Sequence, residues 1–201
     1  MLGSATSDHA AGTHLRGDET TVKILIAGDF GVGKTTFVTT LSTIKPLLTE
    51  ETITEASVGT DSLGGLPEKK TTTVAMDFGR LTLSSRLVLY LFGAPGQKRF
   101  FPVLSDLATG ALGALVLVDT RRLESSYPVI GRIEELGLPY AIAVNQFPGA
   151  PVHDADKLRR AMDLDQATPL VFCDAREHSS AKNALIDLVT YLLTLTPEST
   201  R

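Results

Sequence analysis

The sequence has 201 residues, 43% of them hydrophobic, enough for one domain with a full core, and a formal net charge of −4. It has no Lys/Arg-rich block, so the clustered cations that duplex nucleic acid requires are lacking and no nucleic-acid partner is expected. Cys173 is the only cysteine, which excludes an intrachain disulfide, and His9, His14, His153 and His178 have no zinc-ligand spacing.

Residues 1–20 are rich in Ser, Thr, Gly, Ala and Asp and are expected to form a disordered tail, followed by one domain over 21–196 and a short tail over 197–201. No signal layout, lipidation motif or bilayer-length apolar run is found, so a cytoplasmic setting is expected, with any membrane reached only through partners. An apolar strand is predicted from Val22 to Ala27. It leads into Gly28-Asp29-Phe30-Gly31-Val32-Gly33-Lys34-Thr35, which is G-x-x-x-x-G-K-[ST] in the strand-to-helix setting that the motif requires. Backbone N–H groups of such a loop curl around phosphate oxygens, Lys34 reaches the terminal phosphates, and the Thr35 hydroxyl is placed to ligate magnesium. The following helix should end near Ile44, since Pro46 cannot continue it.

Leu47 to about Lys70 shows little periodicity and reads as a long functional or mobile loop. Thr71–Phe78 and Arg86–Phe92 read as a hairpin turning through Gly79–Ser85. Ala111–Val118, Tyr140–Val144 and Pro169–Cys173 are apolar runs suited to strands covered on both faces. Helices are expected at Phe101–Ala108, Ser125–Leu136, Asp154–Met162 and Ser179–Leu195, the last closed by Pro197. The fold class is therefore α/β, a three-layer domain with a mostly parallel sheet and one antiparallel strand. Ligands bind beyond the carboxyl ends of such strands, where four segments converge: Gly28–Thr36, Gly93–Gln97, Asn145-Gln146 and Asp174-Ala175-Arg176.

With these segments in place the chain resembles the small Ras-like GTPase superfamily of P-loop proteins over about Val22 to Leu195. Gly31–Thr36, Leu48–Glu51, Thr72–Arg80 and Leu91–Gln97 are more closely similar to the GTPase component of actinobacterial conservons. The resemblance implies a GTP/GDP-binding switch using Mg2+, with a roadblock-type regulator and a sensor-kinase-like membrane protein as partners. Gln97 falls on the residue that orients the attacking water and, with Lys34, is the implied catalytic pair. The Gly96 N–H falls on the sensor of the terminal phosphate, and Thr73, within a residue or two, on the switch threonine that joins Thr35 at the metal. Asn145, Gln146 and Asp174-Ala175-Arg176 fall on the base-binding loops, the Ala175 N–H meeting the guanine carbonyl oxygen. Gly28 to Thr36 bind the phosphates.

Three departures bear on function. Gly93 stands where relatives keep a metal-holding aspartate, so weaker magnesium affinity is expected. Phe30 sits in the loop beside the terminal phosphate, where its ring would crowd an inserted arginine finger, so slow hydrolysis or an unusual activator is expected. Pro148 replaces the aspartate that reads guanine, so base discrimination should fall; the alternatives are relaxed base specificity or an interaction module without turnover. Asp77 reads as a strand-end or turn residue. Arg121 and Arg122 read as surface cations beside Asp119. Arg99, Phe100 and Phe101 form either a recognition patch or packing under the next helix.

Overall fold

In this computed structural model the runs without period-two alternation become strands covered on both faces, as their composition requires. The structure describes the backbone of residues 17–54 and 71–195, and their side chains except for 48–54 and 71–75. Residues 1–16, 55–70 and 196–201, which include nearly all of both expected tails and most of the 47–70 segment, lie outside the described residues.

In chain order the elements are β1 (Thr20–Gly28), α1 (Lys34–Leu41), β2 (Leu47–Thr54), β3 (Thr71–Thr82), β4 (Leu87–Gly93), α2 (Phe101–Ala108), β5 (Gly113–Val118), α3 (Tyr127–Glu135), β6 (Tyr140–Asn145), α4 (Ala155–Ala161), β7 (Leu170–Cys173) and α5 (His178–Leu195). They form a seven-stranded sheet in the order β2-β3-β4-β1-β5-β6-β7. Strand β3 is antiparallel to both neighbours, and all other pairings are parallel. The mostly parallel sheet with one antiparallel strand is thus the observed architecture.

Several expectations change. Leu47–Thr54 is a strand, paired with β3 from Leu47↔Phe78 to Thr54↔Thr71. As an edge strand it needs no continuous apolar face, and Glu50-Glu51 suits an edge, where charge discourages further pairing. The segment before α3 is a 3-10 turn over Thr120–Ser126, and the α-helix begins only at Tyr127, with Pro128 in its first turn.

Alternate residues of the central strands feed two cores. Ile24, Ile26, Leu115 and Leu117 pack with Phe37 and Leu41 of α1 and Leu185 and Leu188 of α5. Leu25, Ala27, Val116 and Ile142 pack with Leu104 of α2, Ile130 and Ile133 of α3 and Leu158 of α4. The chain leaves β1 for β2 on one side of it and later crosses from β4 to β5 on the other, so the carboxyl end of β1 is the switch point of the sheet, where a crevice opens. There α1 begins. Its eight residues are too few for a stable isolated helix. Buried Phe37, Val38 and Leu41 hold it, each contributing about 1.5–3 kcal/mol. No side chain caps its first turn, so those N–H groups are left for a ligand. Phe101 packs on the second core, whereas Phe100 lines the crevice. No helix among the described residues is long and apolar enough to cross a membrane.

Candidate functional site

The crevice is a cavity of about 400 Å3 lined by Phe30, Gly31 and Gly33–Thr36 of the loop after β1, Asp77 of β3, and Ala94–Gln97, Arg99 and Phe100 after β4. Gly33 must be glycine: its φ is +101°, and an added Cβ would sit 2.6 Å from Asn145 Nδ2. Lys34 lies back along the loop, donating from Nζ to the carbonyls of Gly28 at 3.0 Å and Asp29 at 2.7 Å. Its burial lowers the ammonium pKa to about 8, against the raising effect of Asp29 and Asp77. A desolvated cation beside free N–H groups is a strong site for an anion.

Asp77 lines this cavity, although the sequence pointed only to a strand end or turn. It is 8% exposed, and its Oδ2 accepts from Thr35 Oγ1 at 2.6 Å. In the hairpin Asp77 pairs with Gly93, and a Cβ on Gly93 would come within 2.9 Å of Asp77 Cβ and 3.0 Å of Oδ2. The Asp77 carboxylate thus stands in the space that the glycine at position 93 leaves. Because Thr35 gives its proton to Asp77, its lone pairs face outward, which suits a hydroxyl that ligates a hard cation. Among the described residues no cluster of three or more His, Cys, Asp or Glu could cage a metal. One hydroxyl, one carboxylate and the ligand's own oxygens suit magnesium, which keeps waters and shares phosphates. Thr73 lies in β3 opposite Thr52, but its side chain is outside the described ones.

After β4, the Ala94 N–H donates to Ile26 O at 2.9 Å, which pins this segment against β1. A Cβ on Gly96 would lie 2.5 Å from the Asp29 and Phe30 backbone, so only glycine allows the two loops to touch. Gln97 is half-buried and faces the same cavity.

Toward β6 and β7, Asn145 is 4% exposed. Its Nδ2 donates to Val32 O at 2.9 Å, and its Oδ1 accepts from Ala175 N–H at 2.9 Å. It ties the phosphate loop to the loop after β7. The Ala175 N–H, expected to meet a base carbonyl, donates to Asn145 Oδ1 in this structure. Beside Asn145 a hollow of about 70 Å3 is lined by Gly33, Thr36, Asn145, Gln146, Phe147, Ala175 and Arg176. Asp174 accepts from Arg176 Nε and Nη2 at 2.9 and 2.6 Å; these side-chain bonds, with the Arg176 N–H, lower its pKa to about 2. Cys173 is buried, and burial pushes its thiol up to about 12, far from reactivity. Replacing Asn145 by alanine would leave a buried carbonyl and a buried N–H unpaired, about 2–4 kcal/mol in total. Thermal melting of that variant should fall by about 5–15 °C.

Arg121 and Arg122 are exposed but engaged. Arg121 clamps Asp119 through Nε and Nη2 and stands 3.8 Å over the Phe147 ring. Burial alone would raise the Asp119 pKa; the Arg121 side chain and N–H outweigh it and hold the carboxyl below its usual range. Arg122 reaches the phosphate loop, donating to Phe30 O at 3.0 Å.

Comparison with solved structures agrees with this architecture. The cytosolic domain of the T. maritima FeoB iron transporter in a GDP form is 18% identical with a TM-score of 0.61, covering 90% of this chain and 66% of that one. The FeoB G-domain of Methanococcus jannaschii is 14% identical, TM-score 0.56, covering 86% and 98%. Elongation factor SelB of Methanococcus maripaludis, solved with a GTP analogue, is 16% identical, TM-score 0.59, covering 88% of this chain and 34% of that one. The fold is that of P-loop GTPase-like domains. An uncharacterised protein of Methanocaldococcus jannaschii is 30% identical over 127 residues, 62% of this chain and 70% of that protein. Residues 26–195 match one family throughout, and the chain belongs to that family, described as conserved hypothetical ATP binding proteins.

Proposed function

We propose that this chain is a nucleotide-binding switch that takes GTP and hydrolyses it slowly, acting in a cytoplasmic signalling module of the conservon kind. The observation that carries the reading is the set of uncapped N–H groups, Lys34 and the Thr35–Asp77 pair around one cavity at the switch point of the sheet. Water would attack the terminal phosphorus while the bond to the leaving diphosphate oxygen breaks. Lys34 and the loop N–H groups hold the developing charge, and Gln97 orients the water. Magnesium, when bound, would neutralise phosphate charge, with Thr35, Asp77 and Thr73 as its protein side. The roadblock-type regulator and sensor-kinase-like membrane protein remain part of this proposal, supported by the shared sequence phrases around the site.

A second reading, an adenine nucleotide in the same site, is favoured by Pro148, which removes the acceptor by which guanine is told from adenine. Titration calorimetry with GDP, a non-hydrolysable GTP analogue and ATP, with and without magnesium, separates the readings. Preference for the guanine nucleotides supports the first, equal or better ATP binding the second, and no heat from any of them defeats both. Gln97→Ala should slow single-turnover hydrolysis about a hundredfold with unchanged triphosphate affinity; an unchanged rate would remove Gln97 from the mechanism.

A further inference from the structure

The phosphate loop contains a turn whose orientation its own sequence does not settle. Val32 N–H donates to Asp29 O at 3.4 Å, which makes Asp29-Phe30-Gly31-Val32 a β-turn. Gly31 at its third position has φ +75°, the sign of a type II turn. Types I and II differ by a half-rotation of the central peptide, here Phe30–Gly31, and glycine at the third position makes that flip cheap. The flip matters because the peptide is trans and planar: the Gly31 N–H points opposite to the Phe30 carbonyl. Gly31 lines the cavity, and no acceptor among the described residues takes its N–H.

Arg122 touches this peptide from outside the cradle. It sits in the 3-10 turn after β5 at a break in the helical backbone, φ −145° and ψ 49°, which departs from the turn around it. Its Nη2 donates to Phe30 O at 3.0 Å, Nη1 is 3.9 Å from Asp29 Oδ2, and Nε is 3.9 Å from Asp119 Oδ2. Asp119 is itself fixed by Arg121. The guanidinium is thus aimed from three directions, although half of its surface is exposed.

We infer that Arg122 is a positioning residue: by holding the Phe30 carbonyl outward it keeps the Gly31 N–H turned into the cavity, ready for a phosphate oxygen. Its positive charge on the carbonyl also polarises the peptide and strengthens that N–H as a donor. The consequence for binding rests on the proposed nucleotide site, whereas the peptide orientation does not.

The test compares the unaltered protein with Arg122→Ala and Arg122→Lys, following the Gly31 amide by 15N NMR in ligand-free protein, thermal melting, and affinity for tripolyphosphate and a non-hydrolysable GTP analogue. In Arg122→Ala the Gly31 resonance should shift or double, and affinity for both probes should fall about tenfold, the share of one charge-assisted hydrogen bond. Melting should move by no more than about 2 °C, since a half-exposed side chain contributes little to stability. Arg122→Lys should recover part of the affinity, because it can still donate to Phe30 O. An unmoved Gly31 resonance would overturn the inference even if affinity dropped, since charge alone would then explain the loss. If the unaltered protein binds neither probe, the proposed function fails; a shifted Gly31 resonance in Arg122→Ala would still support the positioning role, and an unmoved one would defeat it.

Discussion

Removing the Asp77 carboxylate is expected to lower magnesium-assisted nucleotide affinity by about 10- to 100-fold, and moving it to position 93 should restore most of the loss. Asp77→Ala leaves the Thr35 hydroxyl without its acceptor, so the hydroxyl no longer presents its lone pairs outward. Gly93→Asp alone should not help. Its Cβ would meet Asp77 Cβ at 2.9 Å, a backbone-anchored atom that cannot swing aside, and two carboxylates would share one site. Overpacking of this kind costs about 1–3 kcal/mol, a melting decrease of roughly 2–10 °C. The double variant Asp77→Gly with Gly93→Asp exchanges donor strand and space together, so its effects should be far from additive. The measurement is calorimetric affinity for one nucleotide across a magnesium series, with melting curves, for the unaltered protein, Asp77→Ala, Asp77→Gly, Gly93→Asp and the double variant. If the double variant gains no more from magnesium than Asp77→Ala does, the two positions are not interchangeable and Asp77 only braces Thr35.

That carboxylate shows where the sequence stopped being legible. Both strands of the hairpin are visible as apolar runs, but a turn at Gly79–Ser85 centres the pairing on Thr82 and sets Asp77 opposite Leu87. Strand β3 continues to Thr82, and Leu83 N–H closes on Leu87 O, which moves the centre to Ser85 and brings Asp77 opposite Gly93. Register is fixed by turn geometry, and a shift of a few residues carries no mark in composition. The phosphate loop was legible because its chemistry is local: strand, glycines, lysine and helix follow one another in the chain. Arg122 was not, since a cation after an apolar strand looks like any surface cation until the fold brings β5 beside β1. Strand β2 escaped notice because its sequence, LLTEETIT, has no period-two alternation of apolar residues by which strands are recognised. Asn145 was legible only as a candidate, because its bonds to Val32 and Ala175 depend on three loops meeting.

Lys34→Met should make the ligand-free protein more stable while reducing affinity for any polyphosphate by at least about 100-fold. The two effects have one cause. Lys34 is held among the loop backbone, and burial has drawn its pKa down from 10.5 to about 8. At pH 7 it is nevertheless charged in the folded and unfolded states alike, so folding carries the cost of desolvating an ammonium. A pKa depressed on folding means that the unfolded chain binds more protons between pH 8 and 10.5, so stability rises with pH through that window. Methionine fills similar volume without the charge. It forfeits the two bonds to the Gly28 and Asp29 carbonyls, each contributing about 1 kcal/mol and open to replacement by water in the cavity. The balance should favour the variant by about 1 kcal/mol, a melting increase of about 2–4 °C at pH 7 in metal-free buffer. Above pH 8 the unaltered protein sheds the proton and the difference should narrow, disappearing near pH 10. Phosphate binding reverses the sign: an anion in the cavity stabilises the ammonium, so nucleotide binding above pH 8 should take up close to one proton, read from calorimetry in buffers of different ionisation heat. A Lys34→Met protein that melts lower than the unaltered one at pH 7, with no narrowing toward pH 10, would show that the lysine holds the empty loop together. The opposite result would mean that the loop keeps a destabilising charge in place for its ligand.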